Sequence, residues 1–243
     1  MPDLRDDVRD LFTAVTGSAP TGIWSAPGRL ELPRGEVIVI DRRAVVAAGG
    51  RDDDRVRIIS ATAGEVAEVA LDELDDVLGQ AHWVDAVLAA FAALRAEGAD
   101  LGAVPGVDVA IDSTVPERVG LGSRAAIRDA VIPALRDLWR LPEPAAPVVA
   151  ESVALAADDE VLIVIASSAD GPDDPVLALA AETARDSGAT ATHPIGDGSM
   201  LAVVPTEVES RLRVAIDGAF AEHGWGSPEL FTVRPSLGPR RDA

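Results

Sequence analysis

The sequence contains no cysteine, so disulfides and thiolate-bound metals are excluded as sources of stability or chemistry. It contains no lysine either: all 21 basic residues are arginine, set against 41 acids, for a formal net charge of −20. Tyrosine and asparagine are absent, and aromatic residues make up only 3% of the chain. A surface this acidic repels nucleic acid and anionic lipid, so neither is expected as a partner. It also opposes an anionic ligand such as a nucleotide, unless arginines converge locally or a cation intervenes. No apolar run reaches the ~20 residues of a membrane span. The opening stretch is acidic and amphipathic, unlike a secretory leader. A soluble, cytoplasmic protein is expected, its partner a small molecule or another protein. His82, His193 and His223 have no metal-binding spacing, so no resident metal centre is expected.

What the chain does have is material for a core. Apolar residues make up 48% of it, enough to argue against disorder. Leu4, Val8, Leu11, Phe12 and Val15 recur at helical spacing and predict a helix over 2–16. The stretch from Ile23 to Ser60 reads as β-rich, with β-branched runs at 36–41 and 55–60 and a turn expected at 49–54. A strand is expected at 65–71, a helix at 81–97 stopped by Gly98, and a strand at 106–112. The segment 113–122 reads as a loop and 123–139 as a helix. Pro142, Pro144 and Pro147 mark a break, the expected hinge between two halves, 1–141 and 148–243. Beyond it come helices near 148–157, 174–187 and 207–223. Strands are expected at 160–166, 200–204 and 231–234. Strands and helices mix throughout, which predicts an α+β fold.

The segment with most chemical content is Val115-Pro-Glu-Arg-Val-Gly-Leu-Gly-Ser-Arg-Ala-Ala-Ile127. A strand, a glycine-bearing loop and a helix start follow one another. Such a junction aims backbone N–H groups and the positive end of a helix dipole at an anion, so a phosphate is one expected occupant. The competing reading makes Ser123 a helix N-cap and the glycines a turn. His193 is the one histidine with a claim to a site role. Trp139 and Trp225 read as core or boundary aromatics, and Asp112, Asp129 and Asp158 are unspecific.

Val115 to Ile127 resembles the phosphate motif of galactokinases, roughly VPxGxGLSSSAAL, in the GHMP small-molecule kinase superfamily. Ser25-Ala-Pro-Gly-Arg29 is similar to that family's opening signature. The flanks of the loop, the strand ending near Arg234 and the spacing from Gly188 to Pro205 also match. The resemblance implies the GHMP kinase fold: an N-terminal half like ribosomal protein S5 domain 2 and a trimmed ferredoxin-like C-terminal half. It further implies a site in which Gly120, Leu121, Gly122, Ser123 and Arg124 face a nucleotide. Gly196 and Gly198 come from the third motif, Arg29 stabilises developing charge, and ATP and magnesium are the cofactors.

Four departures qualify what the resemblance implies. The acidic loop that holds the sugar hydroxyls after Pro-Gly-Arg is missing: Leu30-Glu-Leu-Pro-Arg-Gly35 runs straight into the next strand. In the phosphate loop, Arg124 stands where the motif has a serine near magnesium. In the third motif, His193-Pro-Ile-Gly-Asp-Gly198 replaces a glycine run. The GxxDQ segment carrying the catalytic carboxylate has no counterpart, and the chain is shorter than galactokinases usually are. The expected function is that of a catalytically defective galactokinase-like protein kept as a binding or regulatory protein. The alternatives are an active kinase with a rebuilt substrate site and a decayed paralogue without a selected role.

Overall fold

The computed structural model describes residues 3–32, 37–79, 83–142, 160–166, 175–196 and 198–243. The expected helix at 148–157, the Pro144 and Pro147 part of the hinge, and His82, Asp158 and Asp197 lie outside them.

The chain opens with α1 (Leu4–Thr16), capped by the Asp3 carboxylate, which accepts from the Arg5 N–H, and stopped by Gly17 at φ 75°. Five strands then build most of a sheet: β1 (Gly22–Glu31), β2 (Val37–Gly50), β3 (Arg55–Ser60), β4 (Glu65–Ala70) and, after α2 (Leu74–Val77) and α3 (Asp85–Ala96), β5 (Val107–Ser113). Helix α4 (Ser123–Trp139) closes this half. The second half runs β6 (Glu160–Ala166), α5 (Pro175–Asp186), β7 (Ala191–Gly196), β8 (Ser199–Pro205), α6 (Glu209–Glu222) and β9 (Glu229–Val233). A short β10 (Arg240–Arg241) then returns to pair with β1.

The strand order is β10-β1-β2-β5-β3-β4 in the larger sheet and β7-β8-β6-β9 in the smaller. Pairing is antiparallel except between β3 and β5. Helices α3 and α4 cover one face of the larger sheet, where Phe91, Leu94, Val131 and Leu135 meet Trp24, Val46, Ile58 and Val109. On the other face, Val8 and Phe12 of α1 meet Ile23, Val45 and Ala110. In the smaller sheet the period-two alternation of β6 divides its labour. Val161, Ile163 and Ile165 face α5 and α6. Leu162 and Val164, with Leu201, Val203 and Val233, face Leu30, Ile38 and Ile40 of the other half. The two halves therefore share a core.

Most expected elements are present. Gly49 and Gly50, expected in a turn, instead extend β2, pairing with Asp108 and Val107, and the turn falls at 51–54. Ladder bonds to β5 outweigh the weak strand propensity of glycine there. Helix α3 begins at Asp85 rather than 81. The strands β7 and β10 were not expected, being short, polar or interrupted by proline.

Candidate functional site

The two pieces of sequence that carried the resemblance meet in space. The Arg29 N–H donates to the Leu121 carbonyl at 3.0 Å, tying the end of β1 to the loop before α4. Gly28 allows the approach: a Cβ there would lie 2.8 Å from the Leu121 oxygen and 3.0 Å from Val115. Leu121 and Val115 are buried in the core shared by the two halves, so the loop is anchored at both ends.

The loop is left-handed at Arg118 (φ 62°) and Gly120 (φ 71°), between those anchors, and at Gly122 (φ 64°), just past Leu121. Gly122, not Ser123, is the N-cap of α4, and no side chain caps the helix. The capping role expected of Ser123 is thus corrected: Ser123 is the first helical residue, because the left-handed turn needed before the helix falls on the glycine. The first helical hydrogen bond runs from the Ala126 N–H to the Gly122 carbonyl. A helix start of this kind leaves its leading N–H groups without intrahelical partners.

That helix start forms one wall of a cleft between the halves. Glu117, Arg118, Gly120, Leu121, Gly122, Ser123 and Arg124 line it, joined by Asp112 and Ser113 from the end of β5 and Thr62 from the β3–β4 turn. The opposite wall is largely apolar, with Ala166, Leu177, Pro194, Phe220, Trp225 and Pro228, and carries Ser199, Ser227 and Glu229 as its polar members. Trp225 packs edge-on against the buried Phe220, ring centroids 5.8 Å apart, which puts it at the boundary between that core and the cleft. From the third motif, Pro194, Gly198 and Ser199 reach the cleft, whereas His193 does not line it. Strand alternation puts His193 and Pro194 on opposite faces of β7.

Arg29 turns away from the cleft. Its Nη1 donates to Asp129 Oδ2 at 3.1 Å, while Arg128 donates to the other oxygen, Oδ1, at 2.7 and 2.9 Å. Both oxygens of Asp129 are thus engaged by guanidinium groups. Asp112 accepts from the Ser113 N–H and the Thr62 hydroxyl.

Arg118 escaped the sequence reading and is the most informative residue of the loop. It adopts φ 62°, a left-handed conformation normally left to glycine, and it stands where the galactokinase motif has a glycine. An arginine at a glycine position was the available signal. Arg118 and Arg124 are both exposed, both line the cleft, and neither has an acid partner among the described residues.

The comparisons with known proteins agree with this geometry. Residues 85–182 match the family model of the GHMP kinase N-terminal domain. A galactokinase from Lactococcus lactis, crystallised with galactose, superposes with a TM-score of 0.81 at 14% identity, covering 97% of this chain and 99% of that one. A mevalonate kinase from Methanococcus jannaschii gives 0.62 at 12% identity, covering 88% and 98%, and a homoserine kinase from Cytophaga hutchinsonii 0.60 at 13%, covering 90% and 96%. No helix among the described residues is long and apolar enough to cross a membrane. With loop and signature interlocked as described, the chain has the GHMP kinase fold and carries, over residues 85–182, a segment like that family's N-terminal domain.

Proposed function

We propose that this chain is a galactokinase-like protein that holds a phosphate-bearing small molecule in the cleft but does not phosphorylate galactose. One observation carries the second half of that reading. Glu31 of β1 pairs directly with Val37 of β2, so only residues 32–36 join the strands. A connection that short replaces the loop that would hold the sugar hydroxyls. A hexose needs several aligned hydrogen bonds to offset its desolvation, and so short a connection has few residues to offer them. The first half rests on the start of α4, whose dipole and leading N–H groups favour an anion.

Kinases of this superfamily use ATP and magnesium. The backbone of Gly120 to Ser123 and the guanidinium groups of Arg118 and Arg124 suit the phosphates. Phosphoryl transfer also requires a group that orients or deprotonates the acceptor hydroxyl. Asp129 is the carboxylate beside Arg29 and favours the rival reading of an active kinase with a rebuilt substrate site. It is a poor candidate for a base, because each of its oxygens already accepts from an arginine.

The test is ATP-dependent formation of galactose 1-phosphate by purified protein, with Arg29→Ala as control and calorimetric titration of galactose alongside. The expected result is no product above background and no saturable galactose binding below millimolar. Robust turnover that Arg29→Ala abolishes would replace this reading with the rebuilt-site one.

A further inference from the structure

The divalent cation of the family does not fit this loop, and two arginines stand in its place. Magnesium in nucleotide sites is held by one or two carboxylates together with the phosphates. Here the carboxylate within the first two turns of α4, Asp129, is occupied by Arg29 and Arg128. Asp112, on the β5 side, has one oxygen, Oδ1, engaged by Ser113 and Thr62. Glu117 is exposed beside Arg118, whose charge opposes a cation there. No group of three or more acidic or histidine side chains suited to a metal occurs among the described residues. The basic side chains lining the cleft among the described residues are Arg118 and Arg124, and Glu229 lies on the far wall.

Acids outnumber bases 41 to 21. Arg51, Arg55, Arg57, Arg95 and Arg213 are satisfied by carboxylates, and Arg43, Arg185 and Arg211 are held by hydroxyl or carbonyl oxygens. Arg118 and Arg124 share one cleft and have no acid partner among the described residues. Arg118 also bears a left-handed backbone that disfavours a side chain.

We propose that Arg118 and Arg124 act as a built-in replacement for the divalent cation, so that the cleft binds a polyphosphate anion without magnesium. The proposal rests on the anion-holding half of the reading under Proposed function. Guanidinium groups neutralise phosphate oxygens by charge-assisted, often bidentate hydrogen bonds. They are fixed to the protein, whereas a metal must be recruited with its water. A magnesium ion already on the phosphates would compete with the arginines for the same oxygens. The metal-free anion is therefore the preferred ligand.

The experiment is isothermal titration of the full chain with ATP and with inorganic tripolyphosphate, each with magnesium in excess or with chelator. The variants are Arg118→Gly, Arg124→Ser and the double variant, with thermal unfolding as the check that each folds. The expected result is binding of both probes in chelator, equal to or tighter than binding with magnesium. Each single variant should weaken metal-free binding by about tenfold, the scale of one charge-assisted contact. The double variant should bind ATP better with magnesium than without. If magnesium tightens wild-type ATP binding tenfold or more, the replacement is overturned while the anion site stands. The same holds if both variants leave the metal-free affinity unchanged. If neither probe binds under either condition, the anion-holding reading falls and the replacement falls with it.

Discussion

Two arginine-rich regions of the larger sheet have opposite fates. At the edge formed by β3, β4 and the start of β5, Arg51 donates to Asp53 at 2.5 Å and to Asp108 at 2.9 Å, and Arg55 and Arg57 both reach Glu68. Each of these charges has a partner. At the other end of β5, beyond Ser113, Arg118 and Arg124 have no acid partner among the described residues. The first arrangement comes readily to a chain in which acids outnumber bases 41 to 21. The second arises even though Glu117 adjoins Arg118. Pairing holds the edge in shape, and lack of pairing leaves charge available for a ligand.

The sharpest way to break the paired region is through its backbone. A Cβ on Gly106 would lie 2.2 Å from the Arg55 carbonyl oxygen and 2.8 Å from the Asp53 oxygen. Those are main-chain atoms in a ladder, and they cannot rotate aside. Gly106→Ala is expected to lower unfolding stability by about 3 kcal/mol, measured by chemical denaturation. A loss under about 1 kcal/mol would show that the edge yields more easily than its packing implies.

Next in size is the contrast between one arginine from each region. Arg51→Met leaves Asp108, whose side chain is only 11% exposed, with the weaker contact from Arg57 at 3.5 Å. The expected loss is about 2 kcal/mol, below the range for fully buried pairs because solvent reaches this edge. Arg118→Gly should cost nothing and gain up to about 1 kcal/mol, because glycine accepts φ 62° without strain. Equal losses in the two variants would erase the distinction between the regions.

The smallest effect concerns acid. The Arg51 guanidinium hydrogen-bonded to Asp53 lowers that carboxyl from its ordinary 3.8 to about 2. A depressed folded value means that the unfolded chain takes up the proton first. The contribution is therefore present above pH 3.8 and is lost as pH falls towards 2. Asp53→Asn should flatten the acid limb of stability in that window and leave neutral-pH affinity for tripolyphosphate unchanged. An unaltered acid limb would mean that the Arg51–Asp53 contact does not persist in solution.

What was legible in the sequence was local. The bounds of α4 follow from the apolar spacing after Gly122. The runs of β3, β5 and β6 are bounded by turn residues on one side and burial on both faces. Strand β7 was not legible because Ala191-Thr-His-Pro-Ile-Gly196 has neither clean alternation nor a β-branched run, and it holds its place through β8. Strand β10 is two arginines and exists only because β1 offers an open edge. In the site, the meeting of the loop with Pro-Gly-Arg29 was implied by resemblance. The engagement of Arg29 by Asp129 was not, since the two are 100 positions apart and α4 sets their distance. Ser123 was assigned the cap because serine usually takes it. Gly122 took it because the chain must turn left-handed at that residue.

The core shared by the halves has a consequence for how the chain is made and kept. Leu30, Ile38 and Ile40 bury themselves against Leu162, Leu201 and Val233, residues that are synthesised long after them. Joining such distant segments is slow, because a long loop must close before the contacts reward it. During that interval an apolar surface on the early half stays exposed and adhesive. Either half expressed alone would present the same surface permanently, so aggregation, rather than an independent stable domain, is the expected fate of a chain cut between them.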